Sequence, residues 1–202
     1  MAIKFQYNKT DLQRLKKQLD IRERALPTLK NKESALRMEV KKAKDKVEEL
    51  DKNLHRTISQ YDESLRLWVE FDPELVGVEK VILDIDKIAG VKTPVLKDIH
   101  FDVREFSLFV RPKWFMDGIE VLKVLARIAI EKKVFQRKME LLDHARKKTT
   151  QKVNLYEKVQ IPGYQDAIRK INRYLEDEEN LSKAAQKIVK SRQQKESMKE
   201  AA

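Results

Sequence analysis

Residues 36–54 read LRMEVKKAKDKVEELDKNL, and the apolar residues of this stretch recur in alternating steps of four and three. They are Leu36, Val40, Ala43, Val47, Leu50 and Leu54. Alternating steps of this kind indicate the buried seam of a coiled coil. The seam extends back to Leu12 and forward to Trp68, with polar Arg22, Glu33 and Thr57 at expected core positions. The pattern predicts one helix from about Thr10 to Phe71, roughly 90 Å long at 1.5 Å per residue.

The composition of the 202-residue chain favours long helices over a loop-rich globule. Charged residues make up 38%, whereas there are only 4 Gly and 5 Pro. The chain has no cysteine, which excludes disulfides and thiolate metal sites. No apolar run has the roughly 18 residues of a membrane-spanning helix, and the first ten residues lack the apolar core of a signal peptide.

The net charge of +11 leaves several partner classes open. Nucleic acid, an anionic membrane surface and an acidic protein all fit a basic chain. The excess is concentrated in Arg127–Lys152, which holds nine Lys or Arg against three Asp or Glu. A basic helix face can also simply be solvated.

The middle of the chain changes its period. Asp72-Pro73 ends the first helix, because the residue before a proline disfavours the α region. Apolar and polar residues then alternate over 81–86 and again over 99–104, which is typical of strands. Between them Ile88–Pro94 contains Gly90 and predicts a loop. The segment 73–113 is therefore interpreted as a β-hairpin insert.

A second helix is predicted to begin near Trp114–Gly118 and to continue through the C-terminal part of the chain. The chain then divides into a helix (1–72), a hairpin or neck (73–113) and a second helix (114–202). The fold class is mainly α, with the terminal helices wound into an antiparallel coiled coil as one elongated unit. In the assumed register Pro27 lies level with Pro162, and the two prolines form a shared bend.

No catalytic group is recognisable in the sequence. His55, His100 and His144 are isolated and lack metal-ligand spacing, and there is no glycine-rich phosphate loop. We expect no catalytic residue, cofactor or metal. Most large aromatics cluster near the hairpin, as a small core or as a docking patch for a partner.

Three segments carry a resemblance to a known family. Residues 8–19 (NKTDLQRLKKQL), 88–94 (IAGVKTP) and 153–162 (VNLYEKVQIP) resemble, in that order, segments of the D subunit of the V-type and A-type rotary ATPases (ATP synthases). The resemblance implies a rotor axle, or central stalk, without nucleotide chemistry of its own. It also implies three kinds of partner: the catalytic and non-catalytic nucleotide-binding ring subunits, the F subunit of the central stalk, and a funnel-like subunit on the membrane rotor. The location implied is cytoplasmic and peripheral to the membrane.

The resemblance and the charge pattern together give two predicted contact surfaces. The ring-contact residues are Arg127, Lys133, Arg137, Lys183, Lys187 and Lys190. The neck and hairpin residues are Trp68, Phe71, Ile88, Gly90, Val91, Pro94, Phe106 and Trp114.

Two rival functions remain open at the sequence level. A prefoldin-like chaperone also combines two helices with hairpins, although Arg22, Arg24 and Lys30 make the helix tip polar. A nucleic-acid-binding coiled coil fits the charge and would bind with a steep salt dependence.

Overall fold

The computed structural model describes residues 3–61, 70–105, 107 and 112–200. In chain order the elements are α1 (Lys9–Gln60), β1 (Val76–Ile88), β2 (Val91–Val103), α2 (Trp114–Asn154) and α3 (Ile161–Glu200). A 3-10 turn (Pro73–Leu75) precedes β1, and a π-helical turn (Leu155–Gln160) joins α2 to α3. Long helices on either side of one hairpin confirm the predicted fold class. No described helix is both long and apolar enough to cross a membrane.

The end of the first helix differs from the prediction. The described helix ends at Gln60, the predicted extension over residues 62–69 lies outside the described residues, and Phe71 is not helical. Asp72 has extended backbone angles, and its Oδ1 accepts a hydrogen bond of 3.0 Å from the Glu74 N–H. Asp72-Pro73 therefore opens the 3-10 turn rather than only stopping a helix.

The hairpin strands are longer than the alternation indicated. β1 and β2 pair antiparallel over 13 residues each, with irregularities between Val78 and Lys80 and between Ile82 and Leu83. The predicted loop Ile88–Pro94 is wrong in its extent, because Ile88 pairs with Val91 and Pro94 pairs with Ile85. Proline fits β2 because a two-stranded sheet leaves each strand one unpaired edge.

The turn of the hairpin contains only two residues, Ala89 and Gly90, both with positive φ (49° and 80°). Two central residues in the left-handed region form a type I′ turn, whose twist matches that of the strands. Gly90 adopts this conformation at no steric cost because it has no Cβ. In Ala89 the Cβ comes too close to the following carbonyl oxygen, so the same conformation is unfavourable.

The residues group into two compact units. The first contains the described parts of 1–31 and 150–202. Its core is Leu15, Ala167 and Ile171, flanked by half-buried apolar side chains that include Ile3 and Phe5. In this unit α1 and α3 are antiparallel: Gln165 Nε2 donates to Glu23 Oε1 at 3.3 Å, and Lys30 Nζ pairs with Glu157 at 2.6 Å.

The second unit comprises residues 32–149. The α1 residues Leu36, Ala43 and Leu50 are buried at seven-residue intervals, as the seam predicted. A separate cluster of Phe71, Leu75, Phe115 and Ile119 forms a small core at the start of α2. A Cβ at Gly118 would lie 3.0 Å from the Phe71 ring, so a larger residue there would displace the ring by a few tenths of an ångström.

Candidate functional site

The predicted contact residues of α2 occupy exposed positions of the second unit. Arg127, Lys133 and Arg137 are all exposed. Arg137 forms an ion pair of 2.9 Å with Glu140, one turn further along the helix. Within the described residues, neither Arg127 nor Lys133 has a carboxylate oxygen within 4 Å. These two cations are therefore available to an acidic partner.

The structure brings this basic surface next to the hairpin. A groove of about 880 Å³ has one wall from the hairpin and one from α2. Its apolar lining is Val78, Val81, Leu83, Pro94, Ile130, Val134 and Leu141. Lys133, Arg137 and Glu140 also line the groove. We call this surface the hairpin groove.

A second, smaller cavity continues the same surface past Pro94. It has a volume of about 360 Å³ and is lined by Pro94–Ile99 of β2 and by Arg127, Glu131 and Lys138 of α2, among others. Pro94 and the cations of α2 thus line neighbouring cavities. The sequence had assigned them to different contact surfaces, Pro94 to the neck and hairpin and the cations to the ring.

Some cations of α2 already pair with carboxylates of α1 or of α2 itself. Lys132 Nζ lies 2.5 Å from Asp51 Oδ1 of α1, and this hydrogen bond lowers the pKa of Asp51 below its usual value of 3.8. Hydrogen bonds from Arg146 and then Lys147 lower the pKa of Asp143 in the same way. Asp143 already counts among the acidic residues of Arg127–Lys152, so of these carboxylates only Asp51 lowers the net charge that the composition of this segment indicates.

The predicted contact residues of α3 lie in a different environment. Every described side chain from Glu176 to Lys195 is exposed, including Lys183, Lys187 and Lys190. Lys183 pairs with Glu179 at 2.7 Å, and its hydrogen bond lowers the pKa of that carboxyl. Large apolar side chains share this segment: Leu181 is 72% exposed and Ile188 is 55% exposed.

The neck aromatics divide into two groups. Phe71 is 7% exposed and packs against Phe115 with ring centroids 5.0 Å apart, while Trp114 is half-buried beside them. Phe71 thus contributes to a core, which was one of the two interpretations, and its contact with a partner stays a prediction. Trp68 and Phe106 lie outside the described residues.

The hairpin tip lies beside α1. Ile88 and Val91 are half-buried, and Gly90 is exposed. A Cβ at Gly90 would be 3.6 Å from Lys32 Nζ. At the tip, Gly90 therefore lies close to the Lys32 side chain of α1 within the second unit.

The predicted bend residues both belong to the first unit. Pro27 lies between Glu23 and Lys30, and Pro162 lies between Glu157 and Gln165. The two cross-helix contacts of this unit, Glu23 to Gln165 and Lys30 to Glu157, therefore flank both prolines. That the prolines bend the helix pair together stays a prediction.

Comparisons with known proteins identify a family and several relatives. The family model for the D subunit of ATP synthase matches residues 11–191. The chain belongs to this ATP synthase D-subunit family. It is 33% identical to the V-type ATP synthase D subunit of Borreliella burgdorferi, over 93% of this chain and 94% of that protein. It is 28% identical to the protein of the same name from Chlamydia muridarum, over 95% of this chain and 97% of that one.

Membership of this family confirms the resemblance stated from the three short segments. The matched range includes the hairpin groove and all six predicted ring-contact residues. Among the described residues, no group of three or more His, Cys, Asp or Glu could hold a metal ion.

Sequence reasoning named Pro94, Lys133 and Arg137 of the hairpin groove but missed its other apolar wall residues. Val78 and Leu83, which line the groove, are 46% and 50% exposed, although alternation alone makes such residues candidates for a buried face. A signal was present: a two-stranded hairpin has too little sheet to bury its apolar side chains without a helix or a partner.

Proposed function

We propose that this chain is the central stalk, or rotor axle, of a V/A-type ATPase or ATP synthase. In this role it couples ATP hydrolysis or synthesis in a ring of nucleotide-binding subunits to ion translocation by the membrane rotor. The observation that carries the proposal is the family match over residues 11–191, which includes the hairpin, all of α2 and most of α1 and α3. The axle itself is non-catalytic.

The packing supports a mechanical role. A shaft needs resistance to twisting, which a buried heptad seam between two helices provides. Its outer surface needs contacts that form and break at each step. Exposed ion pairs contribute only about 0–1 kcal/mol each, so cations such as Arg127 and Lys133 exchange partners at little cost.

The proposed partners follow the two kinds of exposed surface. The cations of α2 and α3 contact the catalytic and non-catalytic ring subunits. The neck and the hairpin contact the F subunit and the funnel-like component of the membrane rotor. The axle is therefore cytoplasmic and bound to the membrane only through its complex.

A rotation assay tests this function directly. The chain is assembled with the nucleotide-binding ring, the ring is fixed to a surface, and a bead is attached to the hairpin through an introduced cysteine. We expect ATP to drive stepwise rotation of the bead. ATP hydrolysis with a stationary bead would contradict the axle.

A tagged pull-down from native membranes separates the rivals. Co-purification of nucleotide-binding ring subunits is the expected result. Nucleic acid released by nuclease, or a mixture of unfolded clients, would instead identify a nucleic-acid-binding coiled coil or a prefoldin-like chaperone.

A further inference from the structure

Arg22 occupies a core position of the α1 seam. It lies seven residues after Leu15 and seven before Leu29, where the heptad calls for an apolar side chain. Its guanidinium is held by neutral groups. Nε donates to Gln160 Oε1 at 2.7 Å, and Nη1 donates to the Gln18 carbonyl at 2.9 Å and to Gln18 Oε1 at 2.6 Å. In the part of the chain that the structure describes, no carboxylate oxygen lies within 4 Å of it.

Two tyrosine rings complete the surroundings of this cation. The guanidinium carbon lies 4.7 Å from the ring centroid of Tyr164 and 5.9 Å from that of Tyr156. Both distances fall within the range of cation–π attraction. Arg22 thus touches Tyr156 and Gln160 within the π-helical turn as well as Tyr164 just after it.

The π-helical turn has a local cause at Pro162. Proline has no N–H, and its ring collides with the carbonyl four residues earlier in a regular α-helix. Here the Ile161 N–H bonds instead to the Tyr156 carbonyl, five residues back. The wider turn absorbs one extra residue, so Tyr156 and Tyr164 are eight residues apart where a heptad has seven.

That extra residue sets the rotational phase of α3. One residue of an α-helix corresponds to about 100° of rotation and 1.5 Å of rise. If the turn relaxed to α or moved along the chain, the core residues Ala167 and Ile171 would rotate away from Leu15. Pro162 explains why a widened turn forms here but does not by itself fix where the extra residue sits.

We propose that Arg22 is a pin that holds the π-helical turn at Leu155–Gln160 and so fixes the phase of α3 against α1. A charged group without a counter-ion in a helix seam stabilises less than an apolar one. A polar core residue can instead select one register among several. The pin belongs to the packing of the first unit and is independent of the proposed rotor function.

Spin-label distances in the full-length chain test the pin. The chain has no cysteine, so single cysteines at exposed Lys16 and Arg169 label unique sites on either side of the Leu15–Ala167–Ile171 core. We expect one narrow distance in the parent. In Arg22→Leu we expect a second population shifted by up to about 8 Å, because side-chain tips lie about 5–6 Å from the helix axis.

Hydrogen exchange supplies a second readout in the unlabelled chain. In Arg22→Leu we expect exchange of the amides of residues 155–161 to accelerate at least tenfold, with helical content and thermal midpoint retained. Arg24→Leu is the matched control, because Arg24 is exposed and pairs with Asp20 on its own helix. It should leave both readouts unchanged.

Arg22→Lys keeps the test decisive if Arg22→Leu loses helical content. Lysine retains the charge but not the planar fork that reaches Gln18 and Gln160 together, so we expect an intermediate second population. The proposal would be overturned if Arg22→Leu, or a folded Arg22→Lys, kept the single spin-label distance and the amide exchange rates of the parent chain. Apolar packing alone would then set the rotational phase of α3 against α1.

Discussion

Asn8 shows how one side chain sets the start of a helix more than fifty residues long. Its Oδ1 accepts a hydrogen bond of 2.6 Å from the Asp11 N–H, and Asp11 Oδ2 accepts one of 2.8 Å from the Gln6 N–H. The first bond satisfies an amide that the helix start leaves without a partner, and the second ties Gln6, which precedes the helix, to its first turn. The polar residues at positions 8, 10 and 11 made this cap predictable from the sequence.

Replacing this cap tests its contribution. We expect Asn8→Ala to lower the free energy of unfolding by about 1 kcal/mol, measured by urea denaturation. Asn8→Asp should retain nearly all the stability, because its carboxylate can accept the same hydrogen bond. An equal loss in the exposed-site control Thr10→Ala would show that the effect is not capping.

Ala89 is the residue whose backbone conformation agrees least with its type. Its φ of 49° costs a non-glycine residue about 1–2 kcal/mol, and Asn-Gly is the preferred pair for this turn. We therefore expect Ala89→Asn to raise the free energy of unfolding by up to about 1 kcal/mol. Gly90→Ala, at φ 80°, should lower it. Equal midpoints in thermal denaturation for these two variants would contradict the turn assignment.

At the scale of elements, the ion pair between Lys132 and Asp51 joins α1 and α2 in the second unit. The hydrogen bond from Lys132 lowers the pKa of Asp51, so folding favours the charged carboxylate. Such a group adds stability above its unfolded pKa, and that stability is lost as the pH falls through the folded pKa. The expected window is therefore acidic, near and below the usual value of 3.8.

The variant Asp51→Asn tests the direction of this pH dependence of stability. The variant should be less stable than the parent at pH 7, and the difference should shrink below about pH 4 and vanish under the lowered pKa. Asp45→Asn, at an exposed site on the same helix, is the control and should show no such trend. A stability difference that stays constant from pH 7 to strongly acidic conditions would rule out the ion pair as its source.

The elements also show what the sequence could predict. The seam placed Leu15, Leu36, Ala43 and Leu50 in the core, because each depends only on spacing along one helix. The hairpin groove could not be predicted, because it depends on which face of α2 lies under the hairpin. The π-helical turn was missed as well: Pro162 indicated an irregular helix, but the choice between a kink and a widened turn depends on the residues packed against it.

At the scale of the whole molecule, the placement of charge matters more than the total of +11. We expect the triple reversal of Arg127, Lys133 and Arg137 to Glu to weaken coupling between ATP hydrolysis and rotation, with helical content unchanged. The effect should diminish at high salt, since exposed pairs are screened.

A matched reversal separates position from net charge. Lys41, Lys52 and Arg56 are exposed on α1 of the same unit, and their reversal to Glu changes the total charge equally. We expect this control to retain coupling. Equal loss of coupled ATPase activity in both triple variants would assign the effect to net charge.

We propose that the segment of α3 beyond its core contacts serves assembly rather than folding. Described side chains from Glu176 to Lys195 are exposed, so truncation after Asn180 removes no core contact described in this segment. We expect the truncated chain to unfold within about 0.5 kcal/mol of the full chain, as for other exposed positions, but to assemble poorly with the ring. The full-length variant Leu181→Asn/Ile188→Asn separates apolar contact from length, because it keeps the helix while removing the two large side chains. A loss of several kcal/mol on truncation would show that the segment stabilises the isolated chain. Normal assembly of both variants would instead contradict the proposed ring contacts of α3 and leave those of α2 as the remaining candidates.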